Sequence, residues 1–440
     1  MLLGNLLTLI SIIVLSYFWY LDALRSNFIF TPIKLFILVT FLYLILPSII
    51  IPNFFPVSLF WSYNSELIEK NHAVILIFII FFLLPYRLFS RFKFPEINFN
   101  FNNNAFLLSI FFLLISIIVK AYMINQGMFF IEDENMIELN SLPRFVRLFN
   151  NLHLWGLMIF TISYFKNRFV NKFSSSVIIN YLFYFYFIFT LSIPLLQGRR
   201  FGVLFPIITV LVIYLYYNHV KFSKLLKYGT YLSLIFLTIT IFRQAQIFSI
   251  ANTYTFNLST IFASIQFLDI DFLIESSLSR IFNVYVKLNR VIEFSFDNTY
   301  TPFYNPFRLA FTGLIPSFLW SDKPNLSIGN SLGKELGLLH SSNDLIGINV
   351  GWIGEGFYHS GIFGVVLAAL LFSSSIVILV KIFNNRYDSG KVVLLMYVIF
   401  LISGYQMELA FSFNSFFKGS IFLIFILYIL SKLPNIIFKS

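Results

Sequence analysis

Long apolar runs alternate with short polar connections along this chain, and only between residues 243 and 360 does that rhythm stop. A helix crossing about 30 Å of hydrocarbon needs roughly 20 mostly apolar residues. Eleven runs qualify, near 2–20, 35–53, 71–86, 105–122, 149–165, 175–196, 201–218, 228–242, 361–380, 392–408 and 418–433. The first lacks a basic start and a small-residue cleavage site, so it reads as a retained span and not as a signal peptide. The pattern predicts an all-α, polytopic membrane protein with about 11 spans, within a range of roughly 10–14. It divides the chain into eight spans with short loops over 1–242, a large loop over 243–360, and three spans with a polar tail over 361–440.

The large loop has a pattern of its own. Ser276, Arg280, Asn283, Lys287, Arg290 and Glu293 follow each other at intervals of three and four, and Leu278, Ile281, Phe282, Val284, Tyr285, Leu288, Val291 and Ile292 fill the opposite side. That spacing predicts an amphipathic helix within 261–294, lying in the membrane interface. Its cations, Arg280 and Arg290, either meet lipid phosphates or point into a substrate cavity. Beyond it, Pro302, Pro306, Pro316 and Pro324 break the chain into short helices and turns.

Composition agrees with the class. The chain is 58% hydrophobic and 11% charged, with mean hydropathy +0.84, where soluble domains carry about 25% charged residues. The 60 Phe follow no repeat, and the absence of Cys excludes disulfides, thiolate metal sites and a cysteine nucleophile. The net charge of +11 sorts by loop. Alternate connections and the tail hold 16 basic residues against Asp22, Glu96 and Asp388, whereas the other face holds 14 basic and 16 acidic residues. The positive-inside rule then places the N-terminus outside and the C-terminus in the cytoplasm. The basic excess is topology and not a footprint for nucleic acid. Loop 243–360 and the acidic loop 123–148 face away from the cytoplasm, where neither ATP nor sugar nucleotide is expected. No phosphate-binding Gly loop, HExxH or clustered His/Asp set points to a nucleotide or metal cofactor.

A few residues carry candidate chemistry. Glu355 sits between Gly354 and Gly356 just before a span, where a carboxylate is costly unless paired or solvated. Burial raises a carboxylate's proton affinity, which suits a general base; the plainer role is an acidic residue favoured at a helix N-terminus. His340 and His359 are proton carriers or, more simply, hydrogen-bonded structural residues. Arg308 stands alone among apolar neighbours and either snorkels or binds substrate, and Lys323 beside Asp322 either solvates a turn or contacts substrate. Arg199 and Arg200 form a tight external connection against the positive-inside rule. Flanking loops 166–172 and 221–227 are both basic, so anion binding explains the pair better than a slip in topology. Arginine's planar fork suits phosphate oxygens, and Arg243 at the end of its span is placed to join them.

The combination of P-x-x-L-W-x-x-K-P (Pro316 to Pro324) with G-E-x-F-x-x-x-G-x-x-G (Gly354 to Gly364) resembles the oligosaccharide repeat-unit polymerases, the Wzy-type O-antigen or capsule polymerases of bacteria. The G-R-R element at Gly198–Arg200 is similar to one in that family. The specific part covers about 50 residues, with the multispan layout agreeing more loosely. The resemblance implies a GT-C-like enzyme in the bacterial inner membrane with its site on the periplasmic face. Its donor and acceptor would be undecaprenyl diphosphate-linked oligosaccharides. It would need no metal or cofactor, and its partners would be membrane lipids and a chain-length regulator protein. It also implies a cationic clamp for the leaving diphosphate from Arg199, Arg200 and Arg308, and Glu355 as base or acceptor-orienting group. An O-antigen ligase shares the layout but uses a lipid A-core acceptor and carries a His-rich element where this chain has Gly354-Glu355. A lipid-linked glycan flippase would show internal repeats and polar mid-span residues, and neither is legible here.

Overall fold

The computed structural model describes residues 2–25, 31–54, 65–89, 92, 105–126, 146, 149–170, 177–196, 200–218, 227, 229–231, 270–297, 312, 315, 320, 328–341, 348–382, 389–404 and 407–432. Helices account for nearly all of them, with no strand among the described residues. Seven helices are long and apolar enough to cross a membrane: Leu3–Leu24, Pro32–Ile51, Glu66–Phe89, Ala105–Asn125, Val177–Leu195, Gly351–Ile382 and Ser412–Ile429. Val203–Asn218 and Gly390–Ile402 are apolar but shorter. The run near 149–165 is helical, and most of 228–242 lies outside the described residues. The chain is a multi-pass α-helical membrane protein. It folds as two compact units, Met1–Phe99 with Arg280–Ile429, and Asn100–Ser279 with Leu430–Ser440.

In the first unit, α1 (Leu2–Arg25), α2 (Pro32–Thr40, extended by a π-helical turn Phe41–Ile45 and by α3, Leu46–Phe54) and α4 (Ser65–Phe89) pack together. The rings of Phe36 and Phe82 stack at 3.7 Å to fill the seam between α2 and α4. Thr31 caps α2 through its hydroxyl, which accepts from Lys34 N–H. Polar groups bind the helices at both ends. At one, Asp22 is buried and pairs with Lys34 at 3.5 Å. It also accepts from Thr31 Oγ1 at 2.6 Å and Tyr86 Oη at 2.8 Å. At the other, the His72 ring lies 2.8 Å from the Gly4 carbonyl. A carbonyl only accepts, so Nδ1 carries the proton, and Nε2 accepts from Tyr285 Oη at 3.1 Å.

The helix running Gly351–Ile382 is bent back on itself. Ser360 (φ −154°, ψ 24°) and Gly361 (φ +58°, ψ −140°) leave helical geometry, and the left-handed value at Gly361 is one that glycine tolerates freely. A straight helix would hold Trp352 and Phe372 about 30 Å apart, yet their rings stack at 3.8 Å with 6° between planes. The arms 351–359 and 362–382, together α11, therefore lie side by side as a hairpin. Gly356 and Gly364 face each other across it, and a Cβ on Gly364 would fall 1.9 Å from the Gly356 carbonyl oxygen. The long arm runs parallel to α4: Ser373 Oγ donates to the Phe82 carbonyl, and Lys381 Nζ to that of Phe89. Lys34, Arg87 and Lys381 thus gather at one end of the unit, with the start of α4 (Glu66) at the other.

The second unit is built on α5 (Ala105–Asn125), α6 (Leu152–Phe165, with a π-turn Lys166–Val170), α7 (Val177–Leu196) and α8 (Arg200–Asn218). Aromatic contacts set its registers. Phe106 meets Phe160, Tyr164 stacks on Phe183 at 4.6 Å, and Phe165 meets Tyr214 at 5.5 Å. Tyr186 Oη donates to the Ser109 carbonyl, and it lies where a Cβ on Gly156 would come within 1.7 Å.

Candidate active site

The amphipathic helix is present as α9, Ile270–Asp297. Its apolar side differs from the expectation in what it covers. Phe282, Val284, Tyr285, Leu288, Val291 and Ile292 are buried against protein. Tyr285 reaches His72, Asn71 Nδ2 donates to Asn289 Oδ1, and Val291 lies beside Gly354. Asn289 is a buried polar residue on the apolar side, invisible to a count of hydrophobic positions. Asn283 and Arg290 face out.

Beneath α9 lies Glu355, on the short arm of α11 and with no exposed surface. Its Oε2 accepts from the backbone N–H of Leu409 at 2.5 Å, at the start of α13 (Leu409–Lys432), the helix that follows α12 (Ser389–Ser403). A free amide at a helix N-terminus favours a carboxylate through both hydrogen bond and dipole. The helix it caps is not the one it belongs to. The residue before Leu409 is Glu408, also buried, and its Oε1 accepts from Gly329 N at 2.7 Å. Gly329 opens α10, Gly329–Glu335. Two carboxylates thus link three elements in series, α11 to α13 and the α13 start to α10. Glu408 gave no signal in the sequence, since one acid before an apolar run has no motif around it.

Further contacts hold the same region. Tyr358 Oη donates to Glu335, and His359 is buried with its ring edge-on to Tyr358 at 5.1 Å. Arg290 donates from Nε to the Leu336 carbonyl at 3.0 Å and pairs with Glu293 at 2.5 Å. Lys287 donates to the Asn349 carbonyl at 3.0 Å, two residues before α11 begins, and burial pushes its amine down to about 8. His340 is exposed beyond α10. The structure therefore brings together Glu355, His359 and Arg290 in one unit, adding Glu408 and Lys287.

Arg200 opens α8 in the second unit; its side chain, like that of Arg280 in α9, is outside the described residues. Arg199, Arg243, Arg308 and Lys323 also lie outside them. Among the described residues no three His, Asp or Glu lie close enough to share a metal ion. No protein-family model, no curated protein and no solved structure matches the chain.

Proposed function

We propose that this protein polymerises lipid-linked oligosaccharide repeat units at the outer face of the bacterial inner membrane. The bond between the anomeric carbon and the diphosphate of a polyprenyl-linked donor breaks. The acceptor's non-reducing-end hydroxyl oxygen takes its place on that carbon, its proton passes to Glu355, and the polyprenyl diphosphate leaves with the bond's electron pair. The donor's anomeric diphosphate bond supplies the free energy. The protein's tasks are then to orient the acceptor, take one proton and hold the leaving anion. Glu355 is assigned the proton, and Arg199, Arg200 and Arg308 the anion.

The observation that carries the reading is the setting of Glu355: a fully buried carboxylate on a short hairpin arm beside a membrane helix. The non-helical turn at Ser360 and Gly361, which folds this arm back beside the span, needs protein around it, and buried ionisable groups beside a span mark function by default. The test uses purified protein in proteoliposomes with lipid-linked repeat units as the sole glycan. A ladder of products spaced by one repeat, formed without nucleotide sugar, is expected. Transfer only after adding lipid A-core would replace the polymerase with a ligase. No transfer in either case would overturn the reading.

A further inference from the structure

We infer that α1 and α2 hold one acyl chain of a phospholipid between them, in a groove on the membrane-facing side of the first unit. The inference stands apart from the polymerase reading and uses only the multi-pass fold.

The groove follows from how three helices meet. Both α1 and α2 lean on α4: His72 and Tyr86 of α4 reach Gly4 and Asp22 of α1, and Phe82 of α4 stacks on Phe36 of α2. The Asp22–Lys34 pair pins α1 to α2 at one end. Beyond that pin the two helices leave a groove of about 290 Å³ between them. Leu15 of α1 and Ile37 of α2 are buried at its floor. Trp19, Leu38 and Phe41 form its rim, at 38%, 40% and 36% exposure, and Ile12 and Ser16 complete the α1 wall.

Depth and lining decide what fills it. Both walls belong to helices long enough to cross a membrane, Leu3–Leu24 and Pro32–Ile51. At about 1.5 Å per residue, Ile12 lies about 18 Å and Trp19 about 8 Å from the Leu24 end. The groove thus runs from the middle of the hydrocarbon toward the headgroup level on the Lys34 side. Water does not suit it. A bound water needs about two to four polar partners, and these side chains offer only the Ser16 hydroxyl and the Trp19 N–H. An empty groove would forfeit the dispersion contacts of its walls. Its rim continues into the exposed apolar residues Ile13 on α1 and Leu42 in the π-turn, the face that such helices turn to the bilayer. Hydrocarbon from the bilayer is therefore the occupant.

Trp19 selects which hydrocarbon. An indole carries a donor and no acceptor, and tryptophans near the end of a span sit at the level of lipid headgroups. There a phospholipid presents its ester carbonyls, whereas a polyprenyl chain presents only carbon and hydrogen. Lipid tails are as apolar as the groove, so hydrophobic transfer does not hold the chain. Packing against two walls and an indole–ester hydrogen bond do.

The experiment reads Trp19 fluorescence in the purified full-length protein, reconstituted in phosphatidylcholine vesicles brominated either near the ester end or near the terminal methyl of the acyl chains. Trp19 is one of five tryptophans, so its signal is isolated by subtracting the emission of Trp19→Phe in each background. Quenching is taken as the ratio of emission in brominated and unbrominated vesicles. Bromine near the ester end should quench Trp19 more than bromine near the methyl end. Most of that quenching should be lost in Ser16→Phe, which fills the groove from the α1 wall, and in Leu38→Phe, which fills it from the α2 wall. Ile13→Phe, on the exposed face beside the groove, should leave it unchanged. Should Ser16→Phe fail to fold, Leu38→Phe carries the test. Equal quenching in the wild type and both filled variants would mean that Trp19 meets only freely exchanging lipid, which overturns the inference. Two other results also overturn it. Relief of the quenching by polyprenol mixed into the vesicles would give the groove to an isoprenoid chain, and no quenching in the wild type would mean that a second copy of the chain covers the seam.

Discussion

At the residue scale, the three elements joined by Glu355 and Glu408 depend on atoms that leave no room for substitution. A Cβ on Gly329 would sit 2.6 Å from Glu408 Oε1 and 3.1 Å from the backbone N and O of Ile348. Gly329→Ala should therefore cost about 1–3 kcal/mol, read as a lower melting temperature in detergent; an unchanged melting temperature would mean that Glu408 does not hold α10. Lys287 makes a prediction in pH. Its folded value of about 8 lies below the ordinary 10.5, so the folded state releases this proton first. The destabilisation from its charge is complete below pH 8 and fades as pH rises towards the ordinary value. Wild-type stability should thus gain on Lys287→Met between pH 8 and 10, and parallel melting curves would contradict the assignment. Neither Gly329 nor Lys287 was legible in these roles. Lys287 read only as one member of a polar stripe, and a glycine's neighbours 79 residues away leave no trace in one sequence.

At the scale of the element, α9 is the instructive case. Its polar stripe at intervals of three and four was legible because a helix repeats every 3.6 residues. What the opposite side covers was not. Its partners Asn71 and His72 lie more than 200 residues earlier, and periodicity carries no information about partners. The Asn71–Asn289 pair makes one hydrogen bond, and Asn71 Oδ1 and Asn289 Nδ2 are buried with no partner among the described residues. Replacing one member strands the other, at about 1–3 kcal/mol, whereas replacing both by apolar residues of like shape is close to neutral. In a double-mutant cycle, Asn71→Leu with Asn289→Leu should cost less than the sum of the single changes by about 0.5–3 kcal/mol. Strict additivity would mean that this bond does not dock α9. The α11 hairpin shows the same limit. Glycines and a span boundary near 361 were visible, but that the arms double back is seen only in the structure, in the Trp352–Phe372 stack and the close approach of Gly356 and Gly364.

At the scale of the whole molecule, membrane character was the most legible property. Spanning hydrocarbon demands length and apolarity together, so composition alone sets the class. Function is carried by a handful of polar residues inside that apolar mass, and the sequence drew attention to those with unusual neighbours: Glu355 between glycines, Arg199 beside Arg200. It passed over Glu408, which stands singly beside an apolar run. The charge sorting predicts a cytoplasmic C-terminus. In the Cys-free chain, Ser440→Cys should be labelled by a membrane-impermeant maleimide only from the inner face, and labelling from outside would reverse the topology. The central claim, that Glu355 takes the acceptor proton during repeat-unit polymerisation, meets its most direct test in the rate of chain extension from purified lipid-linked repeat units. Glu355→Gln keeps an oxygen able to accept from Leu409 N–H and so preserves the cap, but it removes the base. The account predicts a fall of about 10² or more with protein level and melting temperature near those of the wild type. Near-normal chain extension by Glu355→Gln would contradict it and reduce Glu355 to the group that fixes the start of α13.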